Sequence, residues 1–160
     1  MPDENKAIVR RLIEELWTNG NLSVADELFS ENYTHHDPST PDFGPGPEGE
    51  KKRVTHYRTA FPDLQFTIED MICEGQTVTC RWSSTGTHQG PLSVIPPSGK
   101  TVSVSGMTVT KLAGEKIVEA WVNWDTFGLL QQLGVIPAII KKFDDDQKLH
   151  AEWHTAQSGS

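Results

Sequence analysis

Apolar residues recur at helical spacing near the start of the chain and alternate with polar ones over its second half. Ile8, Leu12, Ile13, Leu16 and Trp17 share one helical face and predict a helix over about residues 3–18. Asn19-Gly20-Asn21 ends it. Ser23-Val24-Ala25-Asp26 reads as a capping box with Asp in place of Glu, opening a short second helix that runs to Phe29. Tyr33-Thr34-His35-His36 predicts a short strand. Residues 37–49 hold four prolines and three glycines and form a loop, and loops of that length are usually functional or mobile. Pro47 suits a first helical position, with Glu48 and Glu50 in the first turn, so a third helix runs to Phe61 with Val54, Tyr57 and Phe61 turned inward.

From Leu64 onward the period drops to two. Residues 64–73, 77–88, 100–112 and 116–125 are each rich in Val, Thr, Ile or Trp, and Gly75, Gly99 and Gly114 punctuate them. The link over residues 89–99 carries three prolines and reads as a rigid loop; residues 127–133 predict a last short helix. Helices followed by a run of strands give an α+β class, with a curved antiparallel sheet and the helices packed on its concave face. Such an arrangement leaves an apolar cavity at its open end. One domain is expected over residues 1–140, followed by a flexible acidic tail over residues 141–160 that contains Asp144-Asp145-Asp146.

Bulk properties narrow the choice of partner. The chain has 160 residues, enough for one domain with a sizeable core. Its 36% hydrophobic and 22% charged content is that of a globular protein. A net charge of −8 repels phosphate, and no basic stripe offsets it, so nucleic acid is an unsuitable partner. Cys73 and Cys80 form neither a disulfide framework nor a zinc-type spacing. The acidic start lacks an apolar run, which points to a cytoplasmic protein that neither enters nor rests on a membrane.

The chemistry-bearing residues concentrate in residues 114–134, a turn, a strand and a helix. Alternation puts Trp121, Asn123 and Asp125 on one face of that strand. Asp125 has two readings. It is a helix N-cap, or a carboxylate made a general base by poor solvation between tryptophans. Of His35 and His36, adjacent on a strand, at most one faces the cavity, where it would shuttle protons; the alternative is an anchor for the loop that starts at Asp37. His88 ends the strand whose alternate residues are Val78, Cys80, Trp82, Ser84 and Gly86, and it belongs either to the pocket wall or to a turn. Arg53, Arg58 or Arg81 could hold a ligand oxygen, with Arg58 the best placed for solvent. Tyr33 and Tyr57 are hydrogen-bond donors or core residues. The chain has five tryptophans, and Trp82, Trp121 and Trp124 fall in the sheet, where flat walls suit an aromatic ligand, a core or a dimer interface. No His-x-His or Glu-x-x-His spacing supports a metal.

Several segments taken together resemble one family. Thr87-His88-Gln89-Gly90, Ile95-Pro96-Pro97-Ser98-Gly99-Lys100 and Gly128-Leu129-Leu130-Gln131-Gln132-Leu133-Gly134 are similar to the SnoaL-like ester cyclases of the NTF2-like superfamily. Asn32-Tyr33-Thr34-His35-His36-Asp37-Pro38 and Ala60-Phe61-Pro62-Asp63-Leu64 fit the same pattern. The resemblance spans about residues 6–137 and implies an NTF2-like cone, an apolar oxygenated small-molecule substrate, and a homodimer formed through the convex face of the sheet. It also implies intramolecular aldol cyclisation without cofactor or metal. The acid/base Asp of those cyclases stands in an Asp-Trp pair that is Asn123-Trp124 here, and Thr108 stands where they have an assisting His. Arg53 matches a substrate-contacting position. Since an amide takes up no proton at neutral pH, either Asp125, two residues on and on the same face, takes over the role or the aldol chemistry is absent. Three functions are thus expected in turn. The first is a cyclase or isomerase with Asp125 assisted by a His or Arg. The second is an epoxide-type hydrolase with a water held by Asn123 and Asp125. The third is a binding module without chemistry.

Overall fold

The computed structural model of the chain describes residues 2–136; the expected acidic tail lies outside the described residues. The first helix, α1, covers Pro2–Arg11 and runs on as a π-helical segment over Leu12–Thr18. Its apolar stripe is buried as the periodicity requires, with Val9, Leu12, Ile13 and Leu16 all in the core. Leu16 is fully buried, which contributes about 1.5–3 kcal/mol. Helix α2 (Val24–Leu28) leads directly into strand β1 (Phe29–His36), which starts four residues earlier than the sequence pattern suggests. Helix α3 (Gly46–Ala60) follows the proline-rich loop and opens with Pro47 in its first turn. Then come β2 (Gln65–Glu74), β3 (Thr77–Thr87), β4 (Thr101–Ala113), β5 (Lys116–Trp124) and α4 (Thr126–Gln132).

The five strands form one curved, unclosed sheet in the order β1-β5-β4-β3-β2. Strands β2 to β5 are an antiparallel meander; tight turns join β2 to β3 and β4 to β5, and the proline-rich loop over residues 88–100 joins β3 to β4. Strand β1 pairs with β5 in parallel, so the sheet is mixed rather than wholly antiparallel. The cause is connectivity: one helix, α3, and three strands, β2 to β4, separate β1 from β5 in the chain, so no hairpin dictates their direction.

Two irregularities matter for the site. Leu112 pairs with Ile117 and Lys111 with Glu119, which leaves Val118 as an extra residue on β5. The bulge lets Ile117 and Ala120 both face the core, and beyond it the inward set is Ala120, Val122 and Trp124. On β4, a Cβ at Gly106 would lie 2.5 Å from the Trp82 ring and 2.7 Å from Trp124, so only glycine admits both indoles.

Arg58, expected in solvent, is instead a tie at the back of the helices. Its guanidinium donates to the carbonyls of Trp17, Thr18, Pro62 and Leu64, which satisfies the open carbonyls at the end of the π-helical segment. No helix among the described residues is long and apolar enough to cross a membrane.

Candidate functional site

Between α1, α3 and the concave face of the sheet lies a cavity of about 130 Å³. Its deep part is walled by Val9, Ile13, Phe66, Cys80, Trp82 and Val122. Burial pushes the Cys80 thiol up to about 11, so it stays neutral and unreactive at neutral pH. The other end is polar: Tyr33, His35, Asp37, Glu50, Arg53 and Tyr57 converge there. A second hollow of about 230 Å³ lies outside, beneath residues 40–45, and shares His35, Asp37 and Arg53 with the first. These three residues therefore stand at the junction of a dry interior and a polar vestibule.

Each polar side chain is held by named partners. The Tyr33 hydroxyl is 2.8 Å from His35 Nδ1. The other ring nitrogen, Nε2, is buried without a hydrogen-bond partner and lies 4.0 Å from Asp37 Oδ2. Glu50 and Arg53, one helical turn apart on α3, form an ion pair with both side chains 3% exposed. Trp17 Nε1 donates to the second oxygen of Glu50 at 3.1 Å. Arg53 Nε, like His35 Nε2, is buried and unpartnered.

Asp37 closes the ring of contacts. One carboxylate oxygen accepts the backbone N–H of Ser39, and the other accepts from Thr40 Oγ1 at 2.6 Å and from Trp124 Nε1 at 3.1 Å. Burial pushes its carboxyl upward, but the nearby His35 ring and the donors Thr40, Ser39 and Trp124 together outweigh that and hold it below the usual carboxylate range. Asp37 is thus an anion at neutral pH, fixed beside the His35 ring. Thr40 also meets the Tyr57 hydroxyl at 2.7 Å, which ties the loop to α3. Burial raises the Tyr57 phenol to about 12 and raises Tyr33 well above its ordinary value, so both hydroxyls remain protonated.

Comparison with known proteins agrees with this architecture. Residues 7–133 match the SnoaL-like polyketide cyclase family. The chain belongs to that family. Among solved structures, it is similar to a candidate polyketide cyclase from Acidithiobacillus ferrooxidans at 34% identity. That match covers 81% of this chain and 94% of the other, with a TM-score of 0.74. IdmH from Streptomyces antibioticus, another candidate polyketide cyclase, is 26% identical over 81% of this chain and 98% of its own, with a TM-score of 0.69. AclR from Streptomyces galilaeus, described as a candidate hydroxylase, shares the fold over 97% of this chain and 98% of its own at 24% identity and a TM-score of 0.78. No curated protein matches the chain.

Within this SnoaL-like fold the sequence-derived candidates divide sharply. His35 lines the cavity and His36 does not; His36 stacks on Trp121 on the outer face and its ring meets Glu119 at 2.8 Å. Tyr33, Tyr57, Arg53, Trp82 and Thr108 line the cavity. Trp121, Asn123 and Asp125 do not, because β5 turns Ala120, Val122 and Trp124 inward and sends the opposite set out. Asp125 is exposed and caps α4, accepting the Gly128 N–H at 2.8 Å. Trp121 lies over the Lys111 ammonium on the same outer face. The carboxylates on the cavity wall are Glu50 on α3 and Asp37, the latter delivered by the end of β1 and bonded by Trp124 rather than placed beside it in sequence. His88 is fully buried but outside the cavity. It packs against Phe61, and its Nδ1 takes the Ser98 N–H, which staples the proline-rich loop over residues 89–99 to the end of β3. Arg81 is exposed on the outer face.

Sequence reasoning missed Asp37, Glu50, Trp17 and Thr110 on the cavity wall. For Asp37 a signal existed: His35-His36-Asp37 places a carboxylate two residues from the inward histidine, on the same strand face. For Glu50 and Arg53 the i, i+3 spacing on a helix was visible, but it describes a solvated ion pair equally well. Among the described residues, no three His, Cys, Asp or Glu side chains are grouped to hold a metal ion.

Proposed function

We propose that the chain is a cofactor-independent enzyme of the cyclase or isomerase kind, which moves a proton next to a carbonyl of an apolar, oxygenated small molecule held in the cavity. The observation that carries this reading is the His35 ring. Its Nε2 is buried without a partner at the edge of an apolar hollow, while Nδ1 is tied to Tyr33. In the tautomer where Nδ1–H donates to Tyr33, Nε2 presents a lone pair to the ligand and acts as general base. The imidazolium that forms is favoured by the Asp37 carboxylate at 4.0 Å and by Glu50 at 3.9 Å. Arg53, charged and with one unpartnered N–H, faces the same space and supports the enolate oxygen. Exclusion of water from the apolar part strengthens both contacts. His35 thus takes the role that the sequence pattern assigned to Asp125, and Asn123 and Asp125 hold no water in the cavity. By analogy with the family, the overall reaction is an aldol-type ring closure of a polyketide-like substrate. A pair of copies joined through the outer face of the sheet, where Met107 is half exposed, is the proposed assembly.

The test is exchange at carbon. Wild type and His35→Gln are incubated in D₂O with aromatic β-keto esters carrying a methyl ketone, and deuterium uptake and cyclised product are followed by NMR. Loss of a positioned base lowers the rate by about 10²–10⁴-fold. Exchange in His35→Gln within a few-fold of wild type overturns the assignment. Binding without exchange in wild type makes the chain a ligand-binding module.

A further inference from the structure

Thr110 sits on β4 in the cavity wall. It is 1% exposed, and its hydroxyl is buried with no hydrogen-bond partner. Thr108, two residues earlier on the same face, differs: its oxygen already accepts the Trp82 indole N–H at 3.0 Å. A hydroxyl removed from water without a partner is unfavourable for the folded state, so an orphan of this kind on a cavity wall asks for a ligand atom.

The sheet register gives the orphan a direction. His35 pairs with Ala120 across β1 and β5, and Ala120 pairs with Thr110 across β5 and β4. The three therefore form one row on the concave face, with the small Ala120 between the two polar residues. At the usual strand spacing His35 and Thr110 stand about 10 Å apart at Cα. Over Ala120 there is room for a ligand that meets a base at one end and a hydrogen-bond donor at the other. The cavity size limits that ligand. A cavity of about 150 Å³ holds benzene, and the 130 Å³ here suits one ring and not a fused polycycle.

We infer that Thr110 is a substrate-binding residue of this site, donating a hydrogen bond to the carbonyl oxygen of a ligand whose cavity-bound part is a single ring. The remainder of such a ligand extends past His35 and Arg53 into the vestibule. This rests on the proton-transfer reading above: the oxygen held by Thr110 gains charge as His35 Nε2 removes the adjacent C–H proton. The C–H bond breaks, its electron pair becomes the enolate, and the proton resides on the imidazole.

The test uses two single-ring probes that differ in the carbonyl oxygen, acetophenone and ethylbenzene, with binding read from the quenching of the cavity tryptophans Trp17, Trp82 and Trp124. Wild type is expected to prefer the ketone. In Thr110→Val, ketone affinity falls about tenfold, as for the loss of one hydrogen bond. Ethylbenzene affinity holds or rises, and the free variant melts no lower than wild type because the orphaned hydroxyl is gone. Thr110→Ser keeps the hydroxyl and is expected to keep the ketone preference. A Thr110→Val protein that binds acetophenone as well as wild type overturns the role of Thr110. So does wild type that binds anthraquinone while excluding both single-ring probes. Neither result touches the assignment of His35, which is decided separately by deuterium exchange in His35→Gln.

Discussion

Replacing Arg53 with Met isolates the energetics of the polar end of the cavity. Met keeps most of the aliphatic stem and removes the charge. Glu50, 3% exposed in the wild type, then keeps the Trp17 indole N–H as donor and loses its guanidinium partner, with the His35 ring at 3.9 Å the basic group left beside it. For an exposed pair the loss would be about 0–1 kcal/mol. For a pair removed from water, taking away one partner costs about 3–5 kcal/mol, since the remaining charge is still desolvated. The burial on both sides selects the second regime. The guanidinium also lies 5.9 Å from the Phe43 ring, a further small loss in the same direction. Against a total stability of about 5–15 kcal/mol the effect is large. With a urea m-value of about 2 kcal/mol/M, the midpoint is expected to fall by roughly 2 M with m unchanged. Tryptophan fluorescence serves as the probe, because Trp17 touches Glu50. The double variant Glu50→Gln/Arg53→Met, which removes both charges and keeps an acceptor for Trp17, is expected to recover most of the loss. A single variant destabilised by less than about 1 kcal/mol, or a double variant no better than the single, refutes the reasoning that desolvation of Glu50 dominates.

Three other perturbations separate structure from chemistry. Asp125→Ala removes a helix cap and is expected to lower stability by about 1 kcal/mol in thermal melts, with acetophenone affinity unchanged; a large loss of binding would return Asp125 to the cavity. Asp37 has a depressed folded pKa, so its contribution is present above its unfolded value near 3.9 and is lost as pH falls through the folded value. Wild type is therefore expected to lose stability more steeply than Asp37→Asn in urea titrations below about pH 4. The chain has only two tyrosines, and burial raises both: Tyr57 to about 12, and Tyr33 in the same direction. Stability from these raised groups is complete below the unfolded value near 10 and is lost as pH rises above it. Absorbance at 295 nm is expected to show little phenolate in the folded protein at pH 10.5, and early ionisation there would mean that at least one of the two rings is not buried.

The predicted helices and strands match the observed ones to within a few residues at most boundaries, because their periodicities are unmixed: Ile8 to Trp17 at 3.6, Val78 to Gly86 at two. The family likeness was also legible, carried by turn and loop segments such as the one over residues 87–90. That at most one of His35 and His36 faces inward follows from strand geometry alone. Alternation, however, defines two faces without naming the inner one. On β5 both faces carry a tryptophan, Trp121 on one and Trp124 on the other, so hydrophobicity does not decide between them. The choice is made by the bulge at Val118 and by the pairing of β5 with β1 and β4, contacts between residues far apart in the chain. Asp125 is displaced from the cavity for that reason. Asp37 enters it because β1 returns in parallel alongside β5 and brings its last residues against Trp124. The buried state of Glu50 and Arg53 and the orphaned hydroxyl of Thr110 are likewise tertiary facts. Local sequence determined which segments are helix or strand and which residues share a face; only packing determined which face encloses the hollow, since desolvation depends on what is brought against a side chain from elsewhere in the chain.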